Sequence, residues 1–167
     1  MRYNITATFF CIDEFCKAYD EWEKHHLIDT GKKRYRSCGM SLSEMLTIMV
    51  IFHLSPCKNF KYFYIFHLSH FHKQDFPKLL SYSRFLQLMP RLFVPLCVLL
   101  QSLFGEQTGT YIADATSLPV CHNKRINRNR VFKGLAARGK TTMGWFFGLK
   151  LHMVINHKGS IVAVKIT

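Results

Sequence analysis

Acid is scarce in this sequence. Ten aspartates and glutamates stand against 23 lysines and arginines, and none occurs after Asp114, although the 53 residues beyond it carry ten basic side chains. That gap excludes a carboxylate pair in the C-terminal third, and with it general acid–base chemistry built there from two acids. Paired cysteines are missing too: Cys11, Cys16, Cys38, Cys57, Cys97 and Cys121 form no C-x-x-C, which argues against a disulfide framework or a zinc ribbon. No N-terminal apolar stretch ends in a small-residue cleavage site, so the expected location is cytoplasmic. The longest apolar segment, 85–104, is interrupted by Gln87, Pro90, Arg91, Pro95 and Gln101. It reads as a buried helix pair or a kinked helix rather than a membrane span, which needs ~20 apolar residues.

What is present is a core and a charge. Hydrophobic residues make up 49% of 167 positions, enough for one domain of usual size or two small ones, and the net charge is +13. A polyanionic partner follows from that balance, because lysine and arginine release the counterions condensed on nucleic acid. The alternative in a different class is a small basic protein that coats DNA or lies on a membrane surface, with no catalytic role.

Periodicity changes near residue 107, so the expected units are 1–106 and 107–167. Helical spacing covers 9–26 and is expected to end by Thr30-Gly31; a basic loop with Lys32, Lys33, Arg34 and Arg36 follows. Ser41-Leu42-Ser43-Glu44 has the form of a capping box, opening a helix to about Leu54 that Ser55-Pro56 closes. Another helix, rich in aromatics, spans 59–70, and a cap at Ser81 or Ser83 opens the apolar segment. A helix-turn-helix between Ser41 and His72 is one job for this unit. Pairing through Phe60, Tyr62, Phe63, Tyr64 and Phe66 is the other; core packing accounts equally for those rings. His67, His70 and His72 near Cys57 match no zinc spacing template.

Strand signals begin after Gly109. Residues 110–116 are β-prone, with Pro119 expected to end that strand, and 145–155 alternates with Phe147, Leu149, Leu151, Met153 and Ile155 on one face. Asn156-His157-Lys158-Gly159 is a turn into a last strand at 161–167, making a hairpin of 145–167. His152 shares a face with Lys150, and is either a residue that points toward the site or, at least equally, a structural histidine bonded to a partner. Between the strands lies a tract with Lys124, Arg125, Arg128, Arg130, Lys133, Arg138 and Lys140 and no acid, read as contacting phosphates, with a solvated loop as the alternative.

The segment Ile112-Ala113-Asp114-Ala115-Thr116-Ser117-Leu118-Pro119-Val120-Cys121-His122-Asn123-Lys124-Arg125-Ile126 resembles the first-aspartate region of bacterial DDE transposases, the insertion sequence 982 group above all. The resemblance continues through 131–142 and 144–152, and more weakly at Tyr82-Ser83-Arg84-Phe85. It implies an α+β chain: an N-terminal all-helical unit, then the first three strands of a ribonuclease-H-like core. It also implies DNA as partner, a transposase homo-oligomer, no small-molecule substrate, and Mg²⁺ or Mn²⁺ held by two aspartates and a glutamate, of which Asp114 is the first. Two ions need more than one carboxylate. Upstream acids such as Glu44 or Glu106 are poorly placed to substitute. The expectation is therefore a truncated core that binds DNA and does not cut it, with an unpaired sheet edge that promotes association.

Overall fold

The computed structural model describes residues 4–26, 39–142 and 144–167. The Thr30-Gly31 stop, the loop with Lys32, Lys33, Arg34 and Arg36, and Cys38 lie outside the described residues. The chain divides into two compact units, Met1–Leu99 and Leu100–Thr167.

The first unit is helical. Helix α1 (Ile5–His26) buries Ile12, Cys16 and Tyr19, positions four and three apart that fall on one side of a helix. Helix α2 (Leu42–Leu54) starts at the expected capping box. There the Glu44 amide donates to Ser41 Oγ at 3.1 Å, and the Ser41 amide donates to Glu44 Oε2 at 2.6 Å. It is the centre of the core, with Leu46, Ile48 and Ile51 fully buried. Two hydroxyls follow them inside: Thr47 Oγ1 donates to the Ser43 carbonyl, and Ser43 Oγ donates to Asp13 Oδ1, both at 2.7 Å, tying α1 to α2. The bond from Ser43, then Lys17, holds the Asp13 carboxyl below its ordinary value.

Helix α3 (60–71) is capped by Asn59, and its middle, Phe63–Leu68, is wound as a π-helix between α-helical ends. The wider turn directs two adjacent rings, Phe63 and Tyr64, inward together, where they pack with Phe60 around Phe52 and Phe85. The aromatic set is therefore divided: Phe63 and Tyr64 are core, while Tyr62 and Phe66 stand outside, their ring centroids 5.4 Å apart.

Helix α4 (Tyr82–Ser102) is the apolar segment. Its α-helical winding is interrupted by a 3₁₀ step at Met89–Leu92, where Pro90 removes a backbone N–H. The expectation that it is buried is corrected. Phe85, Leu88, Leu92 and Pro95 face inward, but only 22% of its most apolar window is buried, and Phe93, Val94 and Leu100 are exposed. By length and composition it suffices to cross a membrane. Arg91 stands near its middle, where an arginine costs a spanning helix about 2.5–3.5 kcal/mol.

The second unit is an antiparallel sheet of β1 (Tyr111–Cys121), β2 (Ala137–Thr141), β3 (Gly144–Asn156) and β4 (Ile161–Ile166). Strand β3 is its spine: β1 pairs along one side from Phe147 to Asn156, and β2 and β4 share the other, at 144–148 and 151–155. Two expectations need correction. Pro119 does not end β1, because the strand slips register between Pro119 and Cys121 and continues. A proline without an N–H is tolerated at a bulge or an edge. Residues 137–141 are a strand, not loop: Ala-Arg-Gly-Lys-Thr has little β propensity of its own and is recruited by pairing with β3.

Buried Asn156 organises one end of the sheet. Its Oδ1 accepts from the Lys158 and Ser160 amides and its Nδ2 donates to the Glu106 carbonyl, so one side chain holds both the β3–β4 turn and the segment entering β1.

Candidate nucleic-acid interface

Register decides which side chains share a face. Residues directly opposed in an antiparallel pair project to the same side. Asp114 opposes Met153, which opposes Val164; Ile112 opposes Ile155, and Thr116 opposes Leu151. Asp114 thus stands on the apolar face of the sheet. His152 opposes Ala115 and Lys165, on the other side, so it does not point toward Asp114. Its Nε2 lies 3.1 Å from Thr167 Oγ1.

The same rule brings part of the basic tract onto the Asp114 face. Arg138 opposes Phe147 and Lys140 opposes Trp145 across the β2–β3 hairpin, and Phe147 and Trp145 alternate with Met153. Arg138 lies six residues along β3 from the Asp114 position, about 20 Å, or roughly six base-pair rises of duplex DNA. Lys140 Nζ sits 5.9 Å from the centroid of the Trp145 ring, a cation–π contact.

The other basic residues occupy the connection between β1 and β2. Lys124, Arg125 and Arg128 lie on a 3₁₀ turn, Asn123–Arg128, which His122 caps and Asn123 anchors by donating to the Trp145 carbonyl at 2.8 Å. Arg130 stands just before a second turn at 131–135, and Lys133 lies in it. There Phe132 adopts a positive φ of 54°, an uncommon conformation for a bulky residue, and its carbonyl accepts from the Leu135 and Ala136 amides. All seven basic side chains are exposed, and none is among the ion pairs of the described residues. Two clefts open between them. One of 290 Å³ is lined by Asn123, Ile126, Arg138, Trp145 and Phe146; another of 400 Å³ is lined by Val120, Cys121, Arg125, Arg128 and Asn129.

Asp114 is exposed, and its Oδ1 accepts from the Ala115 amide at 2.7 Å. Of the two upstream acids, Glu44 is engaged in the α2 capping box and Glu106 pairs with Lys158 at 3.5 Å. Among the described residues no three histidine, cysteine or acidic side chains converge as a metal site. The described residues by themselves therefore do not fit a divalent-metal centre. His67 packs against Phe63, Phe71 and His72, and His70 Nδ1 lies 3.1 Å from the Phe66 carbonyl.

Reading the sequence alone misses Trp145 and Asn123. The one signal for Trp145 is its place five residues after Lys140 across a tight turn ending at Gly144, whose φ is +117°. Asn123 has no local signal, because its bond to the Trp145 carbonyl spans 22 residues.

Residues 104–167 match the family model described as a transposase DDE domain. The match spans β1 to β4 and includes Asp114 and all seven basic residues. No curated protein and no solved structure matches the chain.

Proposed function

We propose that the chain is the DNA-holding part of a DDE transposase of the insertion sequence 982 group. In this reading the sheet is the opening portion of a ribonuclease-H-like core, Asp114 is one ligand of its Mg²⁺ or Mn²⁺ site, and Lys124, Arg125, Arg128, Arg130, Lys133, Arg138 and Lys140 contact phosphates. One observation carries it: the segment that matches a transposase DDE domain contains a tract of seven exposed basic residues without an acid in its sequence. Since these 167 residues supply one of the three carboxylates, the chain alone binds DNA and does not cleave or join it.

For the helical unit, the exposed side of α3 favours pairing over base reading. Tyr62, Ile65, Phe66 and Phe71 are exposed there with one lysine, Lys61, whereas a helix set against phosphates needs more cations. A homo-oligomer of the transposase, located in the cytoplasm with its DNA, is the consequent assembly.

Anisotropy titrations of labelled duplex between 50 and 200 mM salt test this. If all seven side chains meet phosphates, the slope of log K against log salt is about −6, and Arg138→Gln with Lys140→Gln makes it shallower by about 2. A flat salt response refutes DNA holding. Metal-dependent cleavage that disappears in Asp114→Ala refutes the incomplete site.

A further inference from the structure

Trp145 is 64% exposed at the start of a strand, where a large ring normally finds cover. It lines the 290 Å³ cleft together with Phe146, Ile126, Arg138 and Asn123. That volume is at the small end for ligand sites, suited to one flat heteroaromatic ring rather than to a larger molecule. The lining is of two kinds. Trp145 and Ile126 give apolar surface for a ring. Arg138 brings hydrogen-bond donors, and Asn123, whose amide is already engaged with the Trp145 carbonyl, keeps its side-chain oxygen as an acceptor. Lys140 lies over the indole and Lys124 follows Asn123, so the surroundings are cationic with no acid in the segment.

From this juxtaposition we infer that the cleft receives an unpaired base of a DNA strand, stacked on Trp145, with Lys140 and Arg138 meeting its phosphates. A paired base inside a duplex cannot present its face to an indole; a base at a frayed or single-stranded end does so at small cost. Asn123 offers its side-chain oxygen as an acceptor to the base edge that pairing would otherwise occupy. The inference rests on the DNA-holding reading above and adds to it a preference for single-stranded ends.

The test uses the full chain with Trp22→Phe, which leaves Trp145 as the only tryptophan of the two. It is titrated with a 12-mer single strand, the same strand carrying abasic sites, and a blunt 12-base-pair duplex. Trp145 fluorescence is expected to be quenched by the single strand and not by its abasic counterpart. In the parent chain, Trp145→Ala should weaken single-strand binding about tenfold or more while duplex binding changes less than twofold, and Trp145→Tyr should restore most of the loss. Equal quenching by the abasic strand, or equal effects of Trp145→Ala on both DNAs, overturns the base site and leaves the DNA-holding reading standing. Failure of the parent chain to bind any of the three overturns both.

Discussion

Gly148 shows how one atom governs this sheet. It is the position on β3 where β1 and β2 close in from both sides, opposing Pro119 on one and Ala137 on the other. A β-carbon there would lie 2.1 Å from the Leu118 carbonyl oxygen, a backbone atom that cannot swing aside. Gly148→Ala should therefore push β1 away at the register slip and destabilise the sheet by about 1–3 kcal/mol. A urea midpoint for the sheet unit unchanged from the parent would show that β1 is not held where the contact requires. The alternation Phe147 to Ile155 is legible in the sequence, but the need for glycine at 148 is not, since it arises from a carbonyl 30 positions earlier. Asp114 is similar. Its strand can be read from Tyr111-Ile112-Ala113, while its face depends on meeting Met153 and not His152.

Among the elements, α2 was legible almost to its ends because its signals are local: a capping box at one end and Ser55-Pro56 at the other. Helix α3 was legible as a helix but not as a π-helix, whose extra residue per turn answers to rings contributed by Phe52 and Phe85. That packing has a pH consequence at His67. Burial, then the neighbouring His72, lowers its pKa from the ordinary 6.5. Because the folded form resists protonation, the unfolded chain takes up the proton first as pH falls below about 6.5. Stability is present above that pH and declines through the window between the ordinary and the lowered value. The thermal midpoint of the chain should fall between pH 7.5 and 5.5, and His67→Phe, which keeps a ring beside Phe63 and Phe71, should reduce that fall. An unchanged pH dependence in the variant would assign it elsewhere.

For the molecule as a whole, the charge and the open sheet pull in opposite directions. A net charge of +13 keeps copies apart at low salt. Against it, β1 pairs only with β3 among the described residues, Ile112 is 59% exposed and Ile166 56%, and β3 buries only Gly148 and Asn156. An unpaired edge beside an apolar face is a template for another strand. Sedimentation should show association that grows with protein concentration and salt. Ile112→Lys, which places a charge on that edge, should reduce it. A sample that stays monomeric at high salt would mean the edge is protected.

By itself the sequence determined whatever rests on neighbours along the chain. The helical first part, the caps, the hairpin with its Asn156–Gly159 turn and the acid-free basic tract all depend on residues within a few positions of one another. Tertiary structure alone decided what those parts present together. Recruitment of residues 137–141 as β2 set Arg138 and Lys140 on the face of Asp114, and the β1–β3 register turned His152 away from it. The reason is the two-residue period of a strand. A shift of one position in pairing sends every side chain to the opposite face, and that shift is fixed by contacts between segments distant in sequence.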